Sequence, residues 1–174
     1  IYVGRIAPEK NLGLAVRAFR RLQQRRPLAR FVLVGDGPSR ERLMRENPDF
    51  VYCGIRRDEE LARHFASGDL FLFPSRSETF GNVTLEAMAS GVTTVAFDYG
   101  AAREHLRHGE SGAAVNDDEG FIEASVHLAC DDTLRRRLGR QAARDMARLQ
   151  PGQVIAAFDA LLAGLAGLAR ARRQ

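Results

Sequence analysis

Short apolar runs recur along the first hundred residues, at Ile1–Val3, Arg30–Val34, Phe50–Cys53, Leu70–Phe73 and Thr94–Phe97. Each is three to five residues long and nearly continuous rather than alternating. That pattern predicts strands buried on both faces of a parallel sheet. Polar stretches with apolar residues at helical spacing separate them: Asn11–Arg25, Ser39–Glu46, Asp58–Ser67, Asn82–Ser90 and Ala101–Arg107. In the first of these, Leu12, Ala15, Val16 and Phe19 make one apolar face. Ser39, Asp58 and Asn82 stand where N-caps are wanted, and Gly68 and Gly91 where a left-handed residue ends a helix. Strand and helix alternating at this spacing predict right-handed crossovers and a doubly wound α/β sheet. From about Asp117 onward the chain reads as helical throughout: Asp118–Cys130, Thr133–Leu149 and, after a break at Pro151-Gly152, Gln153–Arg173. No internal repeat or low-complexity segment interrupts it.

Composition narrows this picture only a little. With 174 residues, 45% hydrophobic and 28% charged, the chain is a globular domain able to bury a core, not a disordered one. The net charge of +4 comes from arginines: Arg20-Arg21, Arg25-Arg26, Arg135 to Arg137, and a tail with Arg170, Arg172 and Arg173. Solvated helix faces are the ordinary reading of such groups, and a patch for an anionic membrane surface or nucleic acid is the alternative. Cys53 and Cys130 make no disulfide framework, which suits a reduced, cytoplasmic compartment, and Cys53 reads as a buried strand residue. No run reaches the roughly 18 apolar residues of a membrane span. The chain opens inside a strand without an initiator Met, so it reads as a piece cut from a longer protein.

In an open α/β sheet ligands bind beyond the carboxyl ends of the strands, which directs attention to three loops. Gly4-Arg5-Ile6-Ala7-Pro8-Glu9-Lys10-Asn11 places two cations beside a helix N-terminus. They oppose the helix dipole, so a bound anion accounts for them better than stability does; two solvated surface bases are the alternative. Val34-Gly35-Asp36-Gly37-Pro38 lacks the third glycine of a dinucleotide fingerprint and reads first as a turn. The third loop runs from Pro74 through Glu78-Thr79-Phe80-Gly81 into a helix at Asn82-Val83-Thr84-Leu85-Glu86. It puts Glu86 in the first turn, leaning back toward Glu78, with free backbone amides from Gly81 to Thr84 between the two carboxylates. Such a place can hold a phosphate on amides and sugar or ribose hydroxyls on carboxylates.

Taken together, Gly-Arg…Glu-Lys, Val-Gly-Asp-Gly-Pro, Ser75 after the Asp69-to-Pro74 strand, and Glu78-Thr-Phe-Gly-Asn-Val-Thr-Leu-Glu86-Ala-Met-Ala-Ser-Gly resemble the C-terminal domain of family 4 of the retaining glycosyltransferases. The resemblance continues weakly through Glu104, Gly109 and Gly112. It implies one half of a GT-B fold: a Rossmann-like donor-binding domain over residues 1–150, and a helix over 151–174 that packs toward an N-terminal domain of the same chain. It implies a nucleotide diphosphate sugar as donor, no cofactor and no metal, and a sugar or lipid-linked hydroxyl as acceptor. Arg5 and Lys10 would hold the diphosphate and stabilise the leaving group, and Glu78 would orient the sugar. Gly4, Phe80, Gly81, Asn82, Val83 and Thr84 would line the donor site, Glu86 would take the ribose, and Gly54 and Ile55 the base. A cytoplasmic enzyme follows, with peripheral contact at the inner membrane face and no nucleic-acid partner.

Two departures from the family stand out: Asn11 where Gly is usual, and Thr93 where Pro is usual. The same residues leave open a nucleotide-sugar epimerase of this fold and a non-catalytic nucleotide-sugar-binding module. His64, His105, His108 and His127 have no metal-ligand spacing. Asp98, Arg103 and Glu104 fall on the ligand side of the fifth strand, with a site role open. Val154, Ile155, Phe158, Leu161, Leu162, Leu165 and Leu168 make the last helix more apolar than a free surface allows.

Overall fold

The computed structural model of the protein describes residues 1–149 and 151–171, with the backbone alone described for 151, 153, 154 and 165–171. Six parallel strands, β1 (Tyr2–Val3), β2 (Val32–Val34), β3 (Val51–Gly54), β4 (Leu70–Phe73), β5 (Thr93–Phe97) and β6 (Gly112–Val115), form two ladders, β1-β2-β3 and β4-β5-β6. Ile1 joins them. Its amine donates to Leu70 O at 2.7 Å, and the Leu72 N–H donates to Ile1 O at 2.9 Å. The order across the sheet is therefore 3-2-1-4-5-6, and it reverses direction between β1 and β4.

Helices α1 (Leu12–Arg25), α2 (Arg40–Glu46), α3 (Asp58–Ala66), α4 (Asn82–Ala89) and α5 (Ala101–His105) lie in the strand-to-strand connections. The chain then continues as α6 (Asp118–Cys130), α7 (Asp132–Ala147) and α8 (Pro151–Ala171). The β1-to-β2 and β4-to-β5 crossovers travel in opposite directions, so connections of one hand put α1 and α4 on opposite faces. Accordingly α6 packs along α1, and α7 along α4. Phe19 of α1 meets Phe31 at 5.2 Å and Phe50 at 5.3 Å between ring centroids, and Phe97 stacks on Phe121 of α6 at 5.7 Å. Each such side chain, fully buried, stabilises the fold by roughly 1.5–3 kcal/mol.

Several expectations change. The strand β6 lies outside the five strands expected, because Gly-Ala-Ala-Val has little strand propensity. Register on β5, with Thr94 opposite Gly112 and Phe97 opposite Val115, makes it a strand. A Cβ at Gly112 would lie 2.5 Å from Leu106 Cδ1 and 2.8 Å from Thr94 O, so the position has no room for a side chain. β3 is not buried on both faces; it is an edge strand with Val51 43% exposed and Cys53 half-buried. Both cysteines are free. Asp58 and Asn82 are first helical residues rather than caps; those positions fall to Arg57 and Gly81. Ser39 holds its cap position without a side-chain bond. Gly91 is left-handed, at φ 73°. Gly68 is not, and is small because Ile1 Cγ2 would stand 2.7 Å from a Cβ there.

Helix α8 starts at Pro151, two residues before the expected Gln153. Ile155, Phe158, Leu161 and Leu162 are 49–62% exposed on it. The side chains of Val154, Leu165, Leu168 and Arg170, and all of Arg172 and Arg173, lie outside the described residues. Among the described residues no helix is long and apolar enough to cross a membrane.

Candidate functional site

The loop after β1 leaves the sheet along a bed made by the loop after β2. The Gly4 N–H donates to Val34 O at 3.0 Å, the Ile6 N–H to Asp36 O at 2.9 Å, and the Ser39 N–H to Ile6 O at 3.0 Å. A Cβ at Gly35 would stand 1.9 Å from Gly4 O, and one at Gly37 2.4 Å from Ile6 O. Those two glycines are therefore required by backbone resting on backbone, which fits the turn reading rather than a phosphate cradle. Beneath the loop, the wholly buried Tyr2 donates its hydroxyl to Arg5 O at 2.8 Å. Burial, then the charges of Glu78 and Glu9, hold that phenol far above its usual range.

A single 3₁₀ turn, Pro8–Lys10, leads to Asn11, whose φ of 53° and ψ of 37° are left-handed. Besides glycine, Asn is among the few residues that adopt this conformation readily, which explains why it can stand where the family usually has Gly. The Asn11 amide donates to Pro74 O at 3.2 Å and ties the start of α1 to the end of β4. One residue earlier, Lys10 Nζ meets Glu78 Oε1 at 2.5 Å, with side chains only 18% and 15% exposed. The two residues are 68 apart in sequence. They meet where the loops after β1 and β4 part, at the point of strand-order reversal. Arg5 is not drawn in. It is 65% exposed and among the described residues reaches only Glu9, at 3.4 Å.

The loop after β4 is held at Arg76, whose guanidinium lies 4.2 Å over the Phe97 ring and donates to Asp118 Oδ1 at 2.8 Å. Asp118 also accepts from Arg17 of α1 at 2.6 Å. Ser75 is buried, and its hydroxyl has no partner among the described residues. Phe80 is half-buried, edge-on to His105 at 6.2 Å, and its carbonyl accepts the Ala101 N–H at 2.7 Å. Gly81 enters α4 left-handed, at φ 91°. Among the described residues the amides of Asn82 and Val83 have no acceptor. The Thr84 amide is not free: it donates to Gly81 O at 2.9 Å, and the Thr84 side chain is buried. Glu86 is the fifth residue of α4, hence in its second turn, and its carboxylate is exposed and unpaired among the described residues. Complementing the helix dipole therefore does not account for it.

Residues 1–131 match the family model described as Glycosyl transferases group 1. The chain belongs to that family. It is 38% identical over 170 residues to a GDP-mannose-dependent alpha-mannosyltransferase of Mycolicibacterium smegmatis, covering 92% of this chain and 43% of that protein. It is 36% identical over 149 residues to the sulfoquinovosyl transferase SQD2 of Arabidopsis thaliana, covering 82% of this chain and 28% of that protein. The chain thus spans less than half the length of these curated relatives. Among solved structures, S. aureus TarM in complex with fondaparinux, alpha-GlcNAc-glycerol and UDP superposes with a TM-score of 0.81 at 18% identity, over 92% of this chain and 34% of that one. The fold is that of one half of a GT-B glycosyltransferase.

In this group 1 glycosyl transferase domain, the loop after β3 adds a shallower feature. Gly54 is left-handed, at φ 68°, its carbonyl accepts the Gly35 N–H at 2.8 Å, and Ile55 is 59% exposed. A cavity of about 470 Å³ lined by Ile55, Arg57, Asp58, Glu59 and Glu60 opens beside it. A larger cavity of about 950 Å³, lined by Ile1, Leu22, Arg25, Leu28 and Leu70 among others, lies at the amino ends of the strands. Apart from none of the candidate loops bordering it, it sits on the wrong side of the sheet for this fold. Asp98, Arg103 and Glu104 pair locally: Arg103 donates to Asp98 O at 2.8 Å, and Glu104 lies 3.8 Å from His105. The His64 and His108 rings bond the carbonyls of Glu60 and Ala114. Sequence motifs did not single out Arg17, Arg76 or Asp118. Their bonds join α1, the β4 loop and α6 across long stretches of chain, so no local spacing could have marked them.

Proposed function

We propose that this chain is the donor-binding half of a retaining hexosyltransferase, residues 1–150 forming the donor domain, which uses a nucleoside-diphosphate sugar and a hydroxyl acceptor. The contact of Lys10 with Glu78 at the strand-reversal point carries the reading. A cation for the diphosphate and a carboxylate for sugar hydroxyls converge there from the two halves of the sheet. Lys10, with Arg5 swinging in from solvent, neutralises charge on the departing nucleotide, the work a metal does elsewhere, so no metal is needed. Glu78 orients the sugar, and the unpaired amides of Asn82 and Val83 take a phosphate oxygen at the mouth of α4. Gly4 and Gly81 let the backbone come close, Phe80 borders the sugar, Glu86 accepts from the ribose, and Gly54-Ile55 offers the base an apolar face. TarM, of like fold, was solved with UDP, which supports a nucleotide as the ligand.

The acceptor, a sugar or lipid-linked hydroxyl, belongs to the domain that completes the cleft. The apolar face of α8 packs onto that domain, and peripheral membrane contact at the cytoplasmic face follows where the acceptor is lipid-linked. Calorimetric titration of the chain with UDP, GDP and ADP tests the donor site. One nucleotide binds best, and both Glu86→Ala and the Arg5→Ala, Lys10→Ala pair weaken it by about tenfold or more, the loss of about one charge-assisted bond. Unchanged affinity in both variants would remove these residues from the site.

A further inference from the structure

Lys10 and Glu78 are more than two ligand-binding groups in one place; each is the other's partner. Their 2.5 Å contact is the sole ion pair of either among the described residues, and both side chains are more than four-fifths shielded. The other loop cation, Arg5, is mostly in water and loosely tied to Glu9. Among the described residues, the one sheltered positive charge at the proposed diphosphate site is thus already neutralised by the residue proposed to hold the sugar.

Resting on the donor-site reading above, we propose that Glu78 also ejects the spent nucleoside diphosphate by reclaiming Lys10. A phosphate oxygen can reach Lys10 only by displacing the Glu78 carboxylate. Removing one member of a shielded pair leaves the other charge uncompensated, a costly state unless a new partner is supplied. The intact donor supplies both: oxyanions to Lys10, and sugar hydroxyls, which are hydrogen-bond donors, to Glu78. The bare nucleoside diphosphate supplies only the first. Once the hexosyl group has left, Glu78 faces a phosphate of like charge with nothing to accept from. The carboxylate returns to Lys10, and the nucleotide loses its buried cation. The pair therefore biases the site toward substrate over product, without a moving lid.

The sign of one substitution separates this from a simple binding role. Glu78→Gln keeps the side chain's shape and removes its charge. Binding of UDP, GDP and ADP, and the dissociation rate of whichever binds best, are measured for the chain itself and for Glu78→Gln. The same is done for Lys10→Ala and the double variant. Glu78→Gln should bind the bare nucleotide about three- to tenfold tighter, through slower dissociation, a shift of one partly shielded ion pair. With Lys10→Ala in the background that gain should fall below about twofold, because the lost competition was for Lys10. UDP-glucose, GDP-mannose or ADP-glucose, matched to the preferred base, should show no such gain. If the chain binds a nucleotide and Lys10→Ala loses it, yet Glu78→Gln binds no tighter, ejection is overturned and the donor site stands. If neither the chain nor Glu78→Gln binds any of the three, the donor site itself falls and ejection with it.

Discussion

At Arg135 a guanidinium is taken inside the protein. Only 7% of its side chain is exposed, and it donates to Leu128 O at 3.1 Å, Ala129 O at 3.3 Å and Asp132 Oδ1 at 2.8 Å. It thus satisfies carbonyls at the end of α6 that have no helical acceptor role left to fill. Its hydrogen bond and charge also hold the Asp132 carboxyl below the usual carboxylate range. Replacing it by Met should cost about 1–3 kcal/mol, the price of stranding those carbonyls. Arg136→Met, on the exposed face, should move stability by less than about 0.5 kcal/mol. Urea unfolding of the two variants checks the contrast, and equal effects would refute it. Nothing in Arg135-Arg136-Arg137 tells the buried residue from the exposed ones, because the difference comes from α6 packing across it. Asn11 is the opposite case. Its place at a position where glycine is usual already hints at a left-handed backbone, and the structure has one. Lys10 and Glu78 were each legible as candidate site residues, but their mutual contact was not, since nothing in sequence measures a distance across 68 residues.

Among the elements, those with strong periodicity or continuous apolar runs were legible: α1, α3, α7 and the buried β4 and β5. The strand β6 was not, because its pairing partner rather than its composition makes it one. Helix starts were misplaced by a residue at α3 and α4, where Arg57 and the left-handed Gly81 do the work assigned to Asp58 and Asn82. The loop bearing Glu78 has its own anchor in Asp118, which accepts from Arg76 of that loop and Arg17 of α1. All three side chains are about half-exposed. Asp118→Asn should therefore change global stability by less than about 1 kcal/mol, as exposed ion pairs do. Amide exchange should nevertheless quicken over residues 75–81, because that loop loses its tether. Uniform exchange along the chain would show that Asp118 anchors nothing.

For the molecule as a whole, the sheet depends on Ile1. In a chain beginning there, desolvation by burial, opposed by Asp69, lowers the amine pKa from 8.0 to about 5. Between those values the folded state keeps the amine neutral while the unfolded state protonates it. The unfolded chain then binds more protons, so stability rises with pH from 5 to 8 and is lost on acidification through that window. The fall of the amine from 8.0 to about 5 corresponds to a loss of up to about 4 kcal/mol on acidification. A chain carrying any residue before Ile1 has an uncharged amide at that place, and pH-dependent melting of the two should differ by this slope. Matching slopes would show that the amine reaches water in the fold.

The seam through Ile1 has a further consequence, in time rather than energy. The first ladder is complete by Gly54 and the second by Val115, but the bonds that unite them join residues about 70 positions apart. Such distant pairings form late. As the chain leaves the ribosome the first ladder can assemble alone, with Lys10 in place and nothing opposite it. The Lys10–Glu78 contact forms only when Glu78 arrives on the second, so a stalled or prematurely ended chain can carry the cation loop without its carboxylate partner.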